Sequence, residues 1–161
     1  MTENGWSINH LAPLVGCAVS TGNKLVRLGL VTPDERQEGP GRTGNRVGML
    51  GMLELITCSQ LLGYGFKIEE IEAATSWLKE RLGEPRPLTK LCLIARGKGP
   101  GRDLEWHEGD THLSVLRRPG QTILCIPTLD LYDELLRQLV AEEREAQEAR
   151  SGILCQVSGV R

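Results

Sequence analysis

Apolar positions in the first half of the chain recur at helical intervals. In "SINHLAPLVG", Ile8, Leu11, Leu14 and Val15 mark one face of a short helix, with Ser7 as its N-cap and Gly16 as its stop. A second short helix is predicted from about Ser20 to Leu28 in "VSTGNKLVRLG", ended by Gly29. A tight turn around Gly16–Ala18 joins them, which gives the outline of a helix-turn-helix. The run "DERQEGPGRTGNRVG" is rich in Gly, Arg and Asn and poor in apolar residues, so it reads as an exposed loop or a short hairpin. Helical spacing resumes in "MLGMLELITCSQLL", from about Met49 to Leu62. After the break at "GYGF", "KIEEIEAATSWLKERL" predicts an amphipathic helix with Ile68, Ile71, Ala74, Trp77, Leu78 and Leu82 on one side. "GEPRP" at Gly83–Pro87 ends that helix and is the best candidate for a domain boundary.

Beyond the boundary the period shortens. "LTKLCLIAR", "HLSVLRR" and "TILCIPT" read as strands, and "RPGQ" at Arg118–Gln121 reads as the turn before the last of them. A final helix is predicted from Leu129 to about Arg150, with Leu129, Tyr132, Leu135, Leu136, Leu139 and Val140 along its apolar side. From Ala141 the sequence "AEEREAQEAR" is almost wholly polar, so that end of the helix runs into solvent or toward a partner. "SGILCQVSGVR" reads either as a frayed tail or as one short strand. The fold class that follows is α+β, mainly α. Residues 1–82 form one helical domain, residues 88–150 a small α+β module whose terminal helix packs on its strands, and residues 151–161 a tail.

Composition narrows the function without naming it. A formal net charge of -2 means that any nucleic-acid surface is a local patch and not a property of the whole molecule. Five cysteines without a C-x-x-C pair, mostly in apolar surroundings, fit free buried thiols in a reducing compartment. The N-terminus lacks a basic start followed by an apolar core, and no apolar run approaches the roughly 20 residues of a membrane helix. A cytoplasmic chain with no membrane contact is expected.

Three segments together resemble the MerR family of winged-helix transcription regulators. "WSINHLAPLVGCAVST" is similar to that family's opening, "LVRLGLVTP" to the end of its recognition helix and the start of its wing, and "LLGYGFKIEEI" to the segment that opens the helix after the wing. The resemblance spans about Trp6 to Leu78. It implies a winged helix-turn-helix that binds double-stranded DNA, with a homodimer reading the two halves of a palindromic site. The chain departs from the family at Gly22, where a large apolar residue is usual, and at Lys24–Leu25, where an aromatic-rich pair is usual. The wing segment is also longer and lacks the family's Tyr. "GEPRP" stands where the family's metal sensors continue into a long dimerisation helix, so metal sensing is not carried over.

The residues that such a reader would use fall on the second helix and the wing. Ser20, Thr21, Asn23, Lys24 and Arg27 lie on or beside the helix, and Arg42, Asn45 and Arg46 lie in the loop. Asn can pair bidentately with adenine, and Lys or Arg can reach guanine O6/N7 or a phosphate. "GPGR" occurs in Glu38–Gly44 and again in Lys98–Glu105, but neither copy leads into the Lys-Ser/Thr of a phosphate-binding loop. Pro-Gly suits a type II turn, so both copies read as turns, the first a DNA-facing wing and the second, with Arg96, Lys98 and Arg102, either a further phosphate contact or a solvated hairpin tip.

No cofactor, metal or catalytic centre is expected. The densest set of metal-ligand types is His107, Glu108, Asp110 and His112, and its two imidazoles are spaced for neither one helical face nor one strand face, so "EWHEGDTH" reads as an exposed turn. The leading expectation is a sequence-specific transcription regulator that is not an enzyme, with the second half supplying dimerisation, an effector pocket or a protein contact. Alternatives are a recombination-directionality or architectural factor of a mobile element, an interaction module or antitoxin, and a metal-dependent hydrolase built on His107–His112.

Overall fold

Ser7 opens the first helix as its position in the sequence implies. Its backbone is extended, at φ -65° and ψ 135°, and its Oγ accepts a hydrogen bond from the Asn9 N–H at 3.3 Å. The computed structural model describes residues 5–34, 45–83, 85–89, 92–96, 103–107, 124–125 and 128–157. In chain order the elements are β1 (Trp6–Ser7), α1 (Ile8–Leu14), α2 (Val19–Arg27), β2 (Arg46–Val47), α3 (Met49–Gly63), α4 (Ile68–Leu82), a 3-10 turn (Pro87–Thr89), β3 (Cys92–Arg96), β4 (Asp103–His107), β5 (Leu124–Cys125) and α5 (Thr128–Val157). The chain is mainly helical, with a minority of strand. No helix among the described residues is long and apolar enough to cross a membrane.

Both of the first helices end in the same way. Gly16 (φ +76°) follows α1, with Cys17 N–H donating to Ala12 C=O at 2.8 Å and Gly16 N–H to Pro13 C=O at 3.1 Å. Gly29 (φ +71°) follows α2, with Leu30 N–H donating to Leu25 C=O at 3.0 Å and Gly29 N–H to Val26 C=O at 3.1 Å. This is the paired-bond termination that requires a left-handed residue, which glycine adopts without a Cβ clash. The residue after each glycine, Cys17 or Leu30, is buried, so the reversal also anchors the outgoing chain in the core.

Every residue of α3 from Gly51 to Ser59 is buried, which makes it the central helix of the molecule. Ile8, Leu11, Leu25, Leu55, Ile71 and Leu139 belong to one apolar cluster around it. β1 and β2 pair antiparallel, Trp6 opposite Val47 and Ser7 opposite Arg46, and Ile8 N–H donates to Asn45 C=O at 3.0 Å. This short ladder ties the entrance of α1 to the entrance of α3.

Several elements differ from what the spacing predicts. Among the described side chains of α4 the buried positions are Ile71, Thr75 and Leu78, whereas Trp77 is 51% exposed. Thr75 can sit inside because its hydroxyl donates to Ile71 C=O at 2.7 Å. "DLEWH" forms a strand, β4, where the charge of "EWHEGDTH" suggests a turn. β4 and β5 flank β3 in an antiparallel sheet of order β4-β3-β5, with Arg96 opposite Asp103. Residues 97–102, which carry the second "GPGR", therefore connect adjacent antiparallel strands, and their own structure lies outside the described residues. The expected strand "HLSVLRR" and the turn "RPGQ" also lie outside them.

α5 continues through Val157, so neither a frayed tail nor a strand begins at Ser151. Leu135 and Leu139 are buried in the cluster built by α1 and α3, while Val140, expected on the same face, is 56% exposed. A one-residue step turns a helix position by 100°, which carries Val140 off the seam. His10 Nε2 on α1 lies 2.9 Å from Glu142 Oε2 on α5, one turn beyond the buried pair.

Candidate nucleic-acid interface

α2 carries the residues singled out from the sequence and divides them by direction. Gly22, Leu25 and Val26 face inward. A Cβ on Gly22 would stand 3.0 Å from the Ala12 Cβ and 3.5 Å from Ile8 Cγ1, so α1 and α2 cross closely at this point. That crossing leaves no room for a large apolar residue at position 22.

Ser20, Lys24 and Arg27 recur at four- and three-residue spacing on the opposite side. Ser20 and Arg27 are exposed, and the Lys24 side chain is 43% exposed. Lys24 Nζ lies 3.7 Å from Glu69 Oε1 at the start of α4, and Glu69 is itself exposed. An exposed pair of that length contributes little and exchanges readily for another anion.

Thr21 and Asn23 are placed differently. Thr21 is half-buried and borders a cavity of about 280 Å³ that is also lined by Gly16, Cys17, Ser59 and Leu62. Asn23 Nδ2 donates to Asn9 Oδ1 at 2.9 Å and to Val19 C=O at 3.0 Å. Both amide hydrogens are engaged, so Asn23 braces α1 against α2. Bidentate pairing with adenine requires one of those hydrogens to be released.

Asn45 and Arg46 sit at the foot of the segment expected to form the wing, and Arg42 lies outside the described residues. Asn45 C=O accepts from Ile8 N–H, and Arg46 C=O accepts from Asp34 N–H at 3.0 Å. The backbone that leaves toward residues 35–44 is thus held to the backbone that returns.

The strongest polar arrangement among the described residues was not singled out from the sequence. Glu54, in the middle of α3, is only 3% exposed. Its carboxylate accepts from Arg86 Nε at 3.0 Å and from an Arg86 terminal nitrogen at 3.0 Å, and also from Thr32 N–H at 2.7 Å. Arg86 further donates to Thr32 C=O at 2.9 Å and approaches Asp34 Oδ1 at 4.0 Å. A bidentate fork of this kind is the strong form of an ion pair, and it satisfies a carboxylate that burial alone would penalise. The hydrogen bonds that Arg86 donates to Glu54 raise the guanidinium pKa above its ordinary value, against the opposing effect of burial. The available signal was a single charged residue inside "MLELITC", an apolar run that requires a partner for it.

The remaining chemistry is subdued. Burial pushes the Cys58 thiol far up, helped by the nearby Glu54 charge, and burial also raises Cys17, so neither is an activated nucleophile. No cluster of three or more metal-ligand types occurs among the described residues. His107 ends β4, and Glu108, Asp110 and His112 lie outside the described residues. No protein-family model matches the chain, and no curated protein matches it.

Proposed function

We propose that this protein is a sequence-specific, double-stranded-DNA-binding transcription regulator, with α1 and α2 acting as a helix-turn-helix and the segment between Asp34 and Asn45 acting as a wing. The observation that carries the reading is the outward stripe of α2. Ser20, Lys24 and Arg27 line it, α2 contains no acidic residue, and the opposite side is fixed in the core. A helix held this way offers hydroxyl, ammonium and guanidinium donors to base edges and phosphates without reorganising its backbone. The resemblance of Trp6 to Leu78 to MerR regulators agrees with this assignment.

Asn23 then has a bracing role before any base-reading role. A local cationic patch is also what a chain of net charge -2 requires if it is to meet a polyanion. A homodimer fits the same reading. Two-fold symmetry would place two copies of α2 on the two halves of a palindromic site.

The test is fluorescence anisotropy against duplex DNA over a range of salt concentrations. Wild-type binding should weaken steeply with salt, and Lys24→Ala/Arg27→Ala should weaken it further. Each lost phosphate contact should make the log–log salt slope shallower by about 1. Absence of binding at low salt, or equal binding by the double variant, refutes the assignment.

A further inference from the structure

The segment Thr32–Asp34 leaves the core after α2 and leads into the expected wing. It is held at both of its backbone polar groups by one ion pair. Thr32 N–H donates to Glu54 Oε2 at 2.7 Å, and Thr32 C=O accepts from Arg86 at 2.9 Å. Glu54 belongs to the rigid central helix. Arg86 does not: it follows α4 and immediately precedes the 3-10 turn that leads to the three-stranded sheet. Two residues further on, Asp34 N–H donates to Arg46 C=O, which carries the constraint into β2.

We propose that Arg86 is a positioning residue for the DNA-facing surface. By closing on Glu54 and Thr32, it sets the departure of the wing segment and the placement of β2, and it couples both to the chain that enters the second half. The inference rests on the DNA-binding reading for its consequence, but the anchoring itself is a property of the protein alone. Withdrawal of Arg86 leaves a buried carboxylate without its counter-charge and releases one of the two restraints on Thr32. A displacement of Arg86 is thereby passed to Thr32 and, through the Asp34–Arg46 bond, to β2.

The experiment uses the full chain as wild type, Arg86→Met, Arg86→Lys and the double variant Glu54→Leu/Arg86→Met. Three quantities are read: the denaturation midpoint, hydrogen exchange at the Thr32 and Asp34 amides, and affinity for duplex DNA. Replacing both members of a buried pair by apolar groups commonly restores stability. The double variant should therefore recover most of the midpoint that Arg86→Met loses. It should still exchange Thr32 roughly tenfold to a hundredfold faster than wild type, because the Glu54 acceptor is gone, whereas Asp34, whose bond to Arg46 C=O is untouched, should exchange faster only through the lost restraint on Thr32. Its affinity for DNA should stay roughly tenfold down. Arg86→Lys, which keeps the charge and loses the fork, should fall between the two in exchange rate.

Recovery of exchange protection at Asp34 and of DNA affinity together with the midpoint would mean that the pair is merely structural, and would overturn the proposal. Wild-type protein that fails to bind DNA would refute the functional reading alone, and the exchange rates would still decide the anchoring.

Discussion

Gly51 offers a sharp trial of the packing described above, because local propensity and tertiary contact predict opposite signs. It lies inside α3, where glycine costs roughly 0.5–1 kcal/mol relative to alanine. On propensity alone, Gly51→Ala stabilises the protein. The added Cβ, however, would stand 2.7 Å from the Val47 Cβ and 3.0 Å from the Thr32 carbonyl oxygen. Carbon atoms pack best at about 3.5–4.0 Å, so α3 and β2 must separate by roughly 1 Å. Val47 cannot swing aside, since its Cβ is one bond from the backbone. Overpacking of this kind costs roughly 1–3 kcal/mol. Thr32 C=O is also the acceptor for Arg86, and a weakened bond to a charged donor adds up to about 1.5–3 kcal/mol. The net expectation is a loss of about 1–4 kcal/mol. It is read as a lower urea midpoint with an unchanged m-value. Gly63→Ala is the control: a Cβ there meets nothing within 4 Å, so its midpoint should equal or slightly exceed wild type. A Gly51→Ala protein as stable as the Gly63→Ala protein would refute the close approach of α3, β2 and Thr32.

Other expectations follow from the same core. Leu139→Ala should cost about 2–5 kcal/mol in equilibrium unfolding, whereas Val140→Ala should stay within about 0.5 kcal/mol. Equal effects at the two positions would mean that α5 is not rooted beside α1 and α3. The buried thiols also predict a dependence on pH. Their folded pKa values are raised, so the native state keeps protons that the unfolded chain releases near the ordinary thiol value of 9.0. Their contribution is constant at lower pH. Stability then falls as pH rises past that value, with a limiting slope of about 1.4 kcal/mol per pH unit from Cys58 and a smaller part from Cys17. Cys58→Ala should make the alkaline fall shallower, and an unchanged slope would show that Cys58 titrates normally in the fold.

Local signals in the sequence carried the first half of the architecture. Ser7, Gly16 and Gly29 are punctuation, and their chemistry acts on neighbours within a few residues, so the bounds of α1 and α2 could be read directly. β4 was obscured for a different reason. "DLEWH" alternates with period two, but the charged residues after it suggest a turn, and pairing with β3 outweighs that suggestion. Trp77 misleads because a large apolar side chain looks like core, while the buried line of α4 runs through Thr75, whose hydroxyl is satisfied within the helix. In the candidate interface, the outward residues of α2 were legible from spacing. The role of Asn23 was not, since its partner Asn9 lies on another helix. Arg86 and Glu54 are 32 positions apart, and only the fold brings them together.

The length of α5 has a mechanical consequence. Its 30 residues span about 45 Å, and among the described side chains the buried pair Leu135 and Leu139 fastens the part near its start. The remainder behaves as a lever whose fulcrum lies in the core beside α1, with the contact between His10 and Glu142 as a strut just past that point. A tilt of about 10° at the fulcrum sweeps the far end through roughly 5 Å. Conversely, a load on the far end reaches α1 as a smaller movement with greater force. A body attached there would gauge the angle of the helix pair through a rigid pointer, and the number of residues beyond Leu139 would fix the gain of the gauge.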